Sequence, residues 1–209
     1  VAVGTIEPRK NHLLLLHLWR DFAAKWGASA PRLVLVGRRG WENENVLDLL
    51  ERCTLLRGLV EEAGSVADPQ VGALLAGARA LLFPSFAEGY GLPLAEALAL
   101  GTPAICSDLP ALREVGGNVP EYLDPLDGAG WRRMVLDYAA PDSRARSAQL
   151  ARLRHWSAPC WEKHFAAVDG LLGQVAARIA RAVPAAPRRA GPAPQRAPEP
   201  LVARALGQP

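Results

Sequence analysis

The stretch from Ser85 to Pro103, SFAEGYGLPLAEALALGTP, sets two carboxylates, Glu88 and Glu96, on either side of a loop with two glycines. Pro93 suits the first turn of a helix, because its missing N–H is one that no intrahelical carbonyl would have used. Tyr90, Gly91 and Leu92 offer no Ser, Thr, Asp or Asn side chain to cap that turn, so its amides are expected to face outward. Free amides, the helix dipole and glycines that let the backbone come close together favour a phosphate or diphosphate. Glu88 would repel phosphates if it faced them, so it is expected to point past them toward hydroxyl groups. Glu96, about one turn into the helix, is placed to accept two hydrogen bonds from vicinal hydroxyls. A sugar on one side of a diphosphate and a ribose on the other satisfy both acids, which describes a nucleotide diphosphate sugar.

The elements that must position these groups are legible as short β-branched runs at 1–4, 32–37, 59–64, 80–85, 103–107 and 118–123. Apolar residues at helical spacing occupy His12 to Trp26 and Asn43 to Leu56. A further helix is expected from Pro69 to Ala78 behind an Asp68 cap, and another from Pro93 to Leu100, stopped by Gly101. Strand and helix in alternation predict right-handed crossovers and an α/β, Rossmann-like, mostly parallel sheet of about six strands with helices on both faces. After about residue 127 the pattern turns helical, ending in a segment from Trp161 to Ala182. Trp156 and Trp161 are expected to pack that last helix on the sheet, and Cys106 to be a small core residue. Residues 1–182 are thus read as one domain, and 183–209, rich in Pro, Ala and Arg, as a disordered tail.

Ligands of such sheets bind outside the carboxyl ends of the strands. Two further loops there carry glycine and adjacent cations: Gly4-Thr5-Ile6-Glu7-Pro8-Arg9-Lys10-Asn11 after the first strand, and Gly37-Arg38-Arg39-Gly40-Trp41 after the second. Arg9 and Lys10 are read as an anion site because of their place after the first strand, whereas Arg38 and Arg39 are read as surface charge.

Composition excludes several classes. Residues 1–170 hold 18 Lys and Arg against 20 Asp and Glu, and the remainder holds 6 against 1. The basic balance therefore belongs to the tail, and no nucleic-acid partner is expected. Attraction of the tail arginines to an acidic membrane surface is a further expectation. Three scattered cysteines and four histidines without ligand spacing predict neither a disulfide framework nor a metal centre, and a reducing, cytoplasmic location follows. The chain opens on VAVG, a strand already under way, and is read as the C-terminal part of something longer. GYGLPL reproduces two glycines of a dinucleotide fingerprint, but Leu94 holds the third position. Neither GxxxxGK[ST] nor Asp-x-Asp occurs.

Glu88 and Glu96 within EGYGLPLAEALALGTP resemble the E-x7-E signature of retaining glycosyltransferases of the GT-B fold, family 4. The resemblance runs through GTIEPRKN, GSVAD, FPSFAEGYG and LREVGG, over roughly residues 1–172. It implies a donor-binding half facing an N-terminal acceptor domain that this chain lacks. By resemblance Glu88 contacts the transferred sugar and Glu96 the ribose. Gly89, Tyr90, Gly91 and Leu92 hold the diphosphate with Gly4 and Thr5, Arg9 and Lys10 neutralise it, and Ser65 and Val66 meet the base. It also implies transfer of a hexose, in the manner of bacterial mannosyltransferase-like members of surface polysaccharide synthesis, to a glycan or lipid-linked acceptor at the inner face of a membrane. No cofactor and no metal are implied. Thr5 and Asn11 stand where the family often has Arg and Gly. A non-catalytic nucleotide-binding remnant and a sugar-nucleotide epimerase of the same architecture are the alternatives.

Overall fold

The structure, a computed structural model, describes residues 1–182, so the expected tail lies outside the described residues. Val1–Cys160 form one compact unit, and a second begins at Trp161. All six expected strands are present, each shorter than its apolar run: β1 (Ala2–Val3), β2 (Leu33–Val36), β3 (Val60–Gly64), β4 (Leu81–Phe83), β5 (Ala104–Ser107) and β6 (Glu121–Leu123). They pair in parallel as two ladders, β1-β2-β3 and β4-β5-β6. The ladders abut where the Leu82 N–H donates to Val1 O at 2.8 Å. The spatial sequence 3-2-1-4-5-6 is that of a doubly wound sheet, and its direction of winding reverses between β1 and β4.

Between and after the strands run α1 (His12–Trp26), α2 (Glu44–Arg52), α3 (Asp68–Gly77), α4 (Leu92–Ala99), α5 (Pro110–Gly116), α6 (Gly128–Ala139) and α7 (Arg144–Leu153). Helix α1 has the expected bounds. Helix α2 stops four residues early because Cys53 turns extended, and Thr54–Leu56 forms a separate 3-10 turn. Asp68 is not a cap: it is the first residue of α3, and the Ala67 N–H at the helix start donates instead to Gln70 Oε1 at 3.1 Å.

The period-two alternation of the strands sorts the core into two layers. Ala2, Leu33, Leu35, Leu82 and Ile105 face α1, α2 and α6, where Trp19, Phe22, Trp131 and Tyr138 are buried. Leu81, Phe83, Ala104 and Cys106 face the other way, against α3, α4, α5 and α7. Each fully buried side chain of this size contributes about 1.5–3 kcal/mol, and both layers hold the strand ends in place. Trp156 packs into the second layer and donates from Nε1 to Val115 O at 3.0 Å.

Helix α8 (Trp161–Ala182) belongs to the second unit. Trp161, expected to pack this helix on the sheet, is 71% exposed and stacks on Phe165 of its own helix, with Leu172, Val175 and Ile179 also exposed. Among the described residues no helix is long and apolar enough to cross a membrane.

Candidate functional site

Because the winding reverses between β1 and β4, the loops leaving their carboxyl ends diverge to opposite faces of the sheet and leave a crevice between them. The β1–α1 loop forms one wall. Its base is knit to the neighbouring strand ends: Gly4 N–H donates to Val36 O at 2.8 Å, and Gly37 N–H to Gly64 O at 2.9 Å. Gly37 lies at φ +145°, and a Cβ there would sit 2.1 Å from Gly4 O, so no other residue fits. Gly40 N–H and Asn43 Nδ2 both donate to Ile6 O, at 2.9 and 3.1 Å, bolting the β2–α2 loop onto the β1–α1 loop.

Pro8–Lys10 then make one 3-10 turn that ends at Asn11, which is left-handed at φ 54°. Glycine and asparagine both suit that conformation, which accounts for Asn at this position. Asn11 adds something glycine lacks. Its Nδ2 donates to Pro84 O at 3.2 Å and to Pro125 O at 3.1 Å, joining the β1–α1, β4–α4 and β6–α6 loops. The Phe86 N–H donates to Arg9 O at 2.8 Å, so the two walls of the crevice are tied at their base.

Three of the expected residues meet here. Lys10 Nζ lies 2.7 Å from Glu88 Oε1, and Arg9 Nη1 lies 3.2 Å from Glu88 Oε2. The sequence predicts that Glu88 points past a bound anion toward hydroxyl groups; in the structure its carboxylate lies against Arg9 and Lys10. Among the described residues no other acid lies within ion-pair distance of Lys10, and the pair is largely withdrawn from water, with the Glu88 and Lys10 side chains 7% and 11% exposed. Arg9 is held from two further sides, by Glu7 Oε1 at 2.6 Å and by Ala87 O at 2.8 Å. Lys10 Nζ also lies 4.9 Å from the centre of the Phe83 ring, within cation–π range. Gly4 makes room for this side chain, since a Cβ at Gly4 would lie 3.3 Å from Lys10 Cε; Thr5 follows it, half-buried.

The opposite wall is the start of α4. Gly91, left-handed at φ 94°, occupies the cap position, and no side chain caps the helix. The first-turn amides thus lack a side-chain acceptor, the arrangement that favours an anion. Gly89, Tyr90 and Leu92 line the loop with exposed surface. Glu96 takes no part in the cationic cluster. Partial burial, and then the charge of nearby Asp68, raise its pKa above the usual carboxylate value. Ser65, exposed, and Val66, half-buried, follow β3 on the same edge of the sheet. Sequence reasoning assigned no part to Glu7, Ala87 or Phe83, and treated Asn11 only as a departure. Their contacts span up to 114 residues of chain and leave no local pattern. Among the described residues no cluster of three or more His, Cys, Asp or Glu is arranged to hold a metal.

Fold and crevice together define a doubly wound α/β domain with paired cations and an uncapped helix start at its switch point. Residues 1–118 match the glycosyl transferases group 1 family, and the chain belongs to that family. It is similar to O-antigen chain mannosyltransferase B of Escherichia coli, with 36% identity over 160 residues, covering 77% of this chain and 42% of that one. It also resembles O-antigen chain mannosyltransferase RfbU of Salmonella typhimurium, with 31% identity over 150 residues, 70% of this chain and 40% of that one. The chain thus spans about two-fifths of the length of these relatives. Among solved structures, that of TarM superposes over 74% of this chain and 31% of its own, with a TM-score of 0.60 at 18% identity, a likeness of fold.

Proposed function

We propose that this chain is the donor-binding half of a retaining, metal-independent glycosyltransferase that moves a hexose, mannose in the first instance, from a nucleotide diphosphate sugar to a glycan or lipid-linked acceptor. The observation that carries the reading is the meeting of Arg9 and Lys10 with Glu88 beside the uncapped start of α4. In this role Arg9, Lys10 and the α4 amides receive the charge that develops on the departing diphosphate. Fixed groups of this kind contribute about 3–4 kcal/mol each to transition states in dry sites. They supply the positive charge that a divalent ion supplies elsewhere. Glu96, with Ser65 and Val66 across the same edge, holds the nucleoside. Glu88 orients the sugar while the acceptor hydroxyl approaches on the face the diphosphate leaves. The mannose assignment is supported by the names of the similar enzymes.

An acceptor must be held within reach of the anomeric carbon, and the proposal places it on a facing domain outside this chain. Calorimetric titration of the 209-residue chain with GDP, UDP and ADP in EDTA tests the donor site. Binding of at least one is expected. Glu96→Ala is expected to weaken that nucleotide roughly tenfold, the loss of a charged hydrogen-bonding group, and to leave inorganic pyrophosphate unaffected. No heat with any nucleotide overturns the reading.

A further inference from the structure

The cationic cluster is closed on itself. Both oxygens of Glu88 are engaged, one by Lys10 at 2.7 Å and the other by Arg9 at 3.2 Å. Two positive charges, Arg9 and Lys10, are matched by two negative ones, Glu7 and Glu88. A diphosphate brought to this position meets a seat that already holds an anion and carries no net charge. Removing one partner from a largely buried ion pair strands the other, but exchanging one anion for another leaves neither cation unpaired.

The backbone permits such an exchange at one place. Phe86 is fixed through its N–H to Arg9 O at 2.8 Å, and Arg9 Nη1 holds Ala87 O at the same distance. Gly91 is fixed by close packing, since a Cβ there would lie 2.4 Å from Leu112 Cδ2. Between these anchors lie Glu88, Gly89 and Tyr90. Gly89 has open space around it, with nothing within 4 Å of an added Cβ, and Tyr90 is 42% exposed.

The geometry points to an anion-exchange latch that makes Glu88 a specificity-determining residue: its carboxylate occupies the diphosphate position on Arg9 and Lys10, and an arriving diphosphate displaces it toward the sugar. This rests on the donor-site reading above. A sugar-bearing donor gives the displaced carboxylate new partners in the sugar hydroxyls. A nucleoside diphosphate without sugar displaces it and offers nothing in return. The latch therefore favours the full donor over the spent nucleotide and speeds release of the latter.

The test is calorimetry on the 209-residue chain and on Glu88→Gln, with GDP, UDP, pyrophosphate and GDP-mannose in EDTA at low and moderate salt. Glu88→Gln keeps the shape and removes the charge. It is expected to bind the nucleoside diphosphate and pyrophosphate roughly tenfold tighter than the parent, about the effect of freeing one charged partner. Its affinity should also fall more steeply with salt, because its seat carries uncompensated positive charge. GDP-mannose should gain less than GDP. Glu88→Ala, equally uncharged and smaller, should move in the same direction if the Gln amide disturbs packing. Nucleotide binding that is equal or weaker in both variants overturns the latch and leaves the donor site standing. No nucleotide binding by any of the three chains overturns both.

Discussion

Two pairs of adjacent cations follow a glycine at neighbouring strand ends, Arg9 and Lys10 after β1, and Arg38 and Arg39 after β2. The first pair turns inward across the switch point, where it meets Glu88 and lies beside the uncapped start of α4. In the second pair Arg39 turns along the sheet, forked onto both oxygens of half-buried Glu62 at 2.8 Å and reaching exposed Glu51 at 2.7 Å. Arg38 is exposed. Similar adjacent cations thus form a candidate ligand seat in one loop and a surface brace in the next. What separates them is which strand lies alongside: β1 borders the reversal of winding and β2 does not.

The sharpest way to break that contrast is to remove the buried member of the first pair. Lys10→Met keeps most of the packing of the side chain over Phe83 while deleting its charge. It should weaken nucleoside diphosphate binding a hundredfold or more, about 3 kcal/mol, in the range for truncating a desolvated charge pair. Calorimetry beside a melting curve checks it: affinity should collapse while the fold persists. Retention of affinity would place the anion elsewhere.

How far the sequence revealed this division depended on distance along the chain. The strands, α1 and the start of α4 follow from local alternation and capping, and they stand where spacing placed them. Repulsion from a bound phosphate predicts that Glu88 points away from it; attraction to Arg9 and Lys10, some 78 residues away in the chain, is what sets its place in the structure, and no local pattern signals that pairing. Asn11 was marked as a departure from a pattern. Its tie to two distant carbonyls appears only when three loops are assembled. Trp161 is expected from the sequence to pack the last helix on the sheet, yet it is exposed on a helix of the second unit.

A third potential cation beside the seat sharpens the comparison. His12 begins α1 directly after Asn11, is 3% exposed, and its Nδ1 has no hydrogen-bond partner among the described residues. Burial first, and then the charge of Lys10, lower its pKa from 6.5 to about 4. The unfolded chain therefore takes up this proton before the folded one does. The stability due to neutral His12 is fully present above pH 6.5 and is lost as pH falls toward 4, by about 3 kcal/mol. Denaturant unfolding of the parent and of His12→Gln between pH 7 and 4.5 checks it. The variant should lose less stability over that window, and parallel curves would mean that His12 titrates normally.

The smallest effect is expected where the second pair is cut. Arg39→Met deletes the fork to Glu62 and the contact with Glu51. Arg39 and Glu51 are exposed and Glu62 is half-buried, so water and salt offset most of their mutual attraction. Glu62 would lose the partner whose hydrogen bonds hold its pKa below the usual range, but it remains wet enough to stay ionised without one. The loop itself has other anchors, since Gly37, Gly40 and Asn43 secure it through backbone contacts that do not involve the Arg39 side chain. Nucleoside diphosphate affinity should therefore stay within about twofold of the parent, and the melting temperature should fall by no more than a few degrees, less still in high salt. A loss of affinity approaching that of Lys10→Met would show that the β2–α2 loop belongs to the ligand seat, and the contrast between the two pairs would fail.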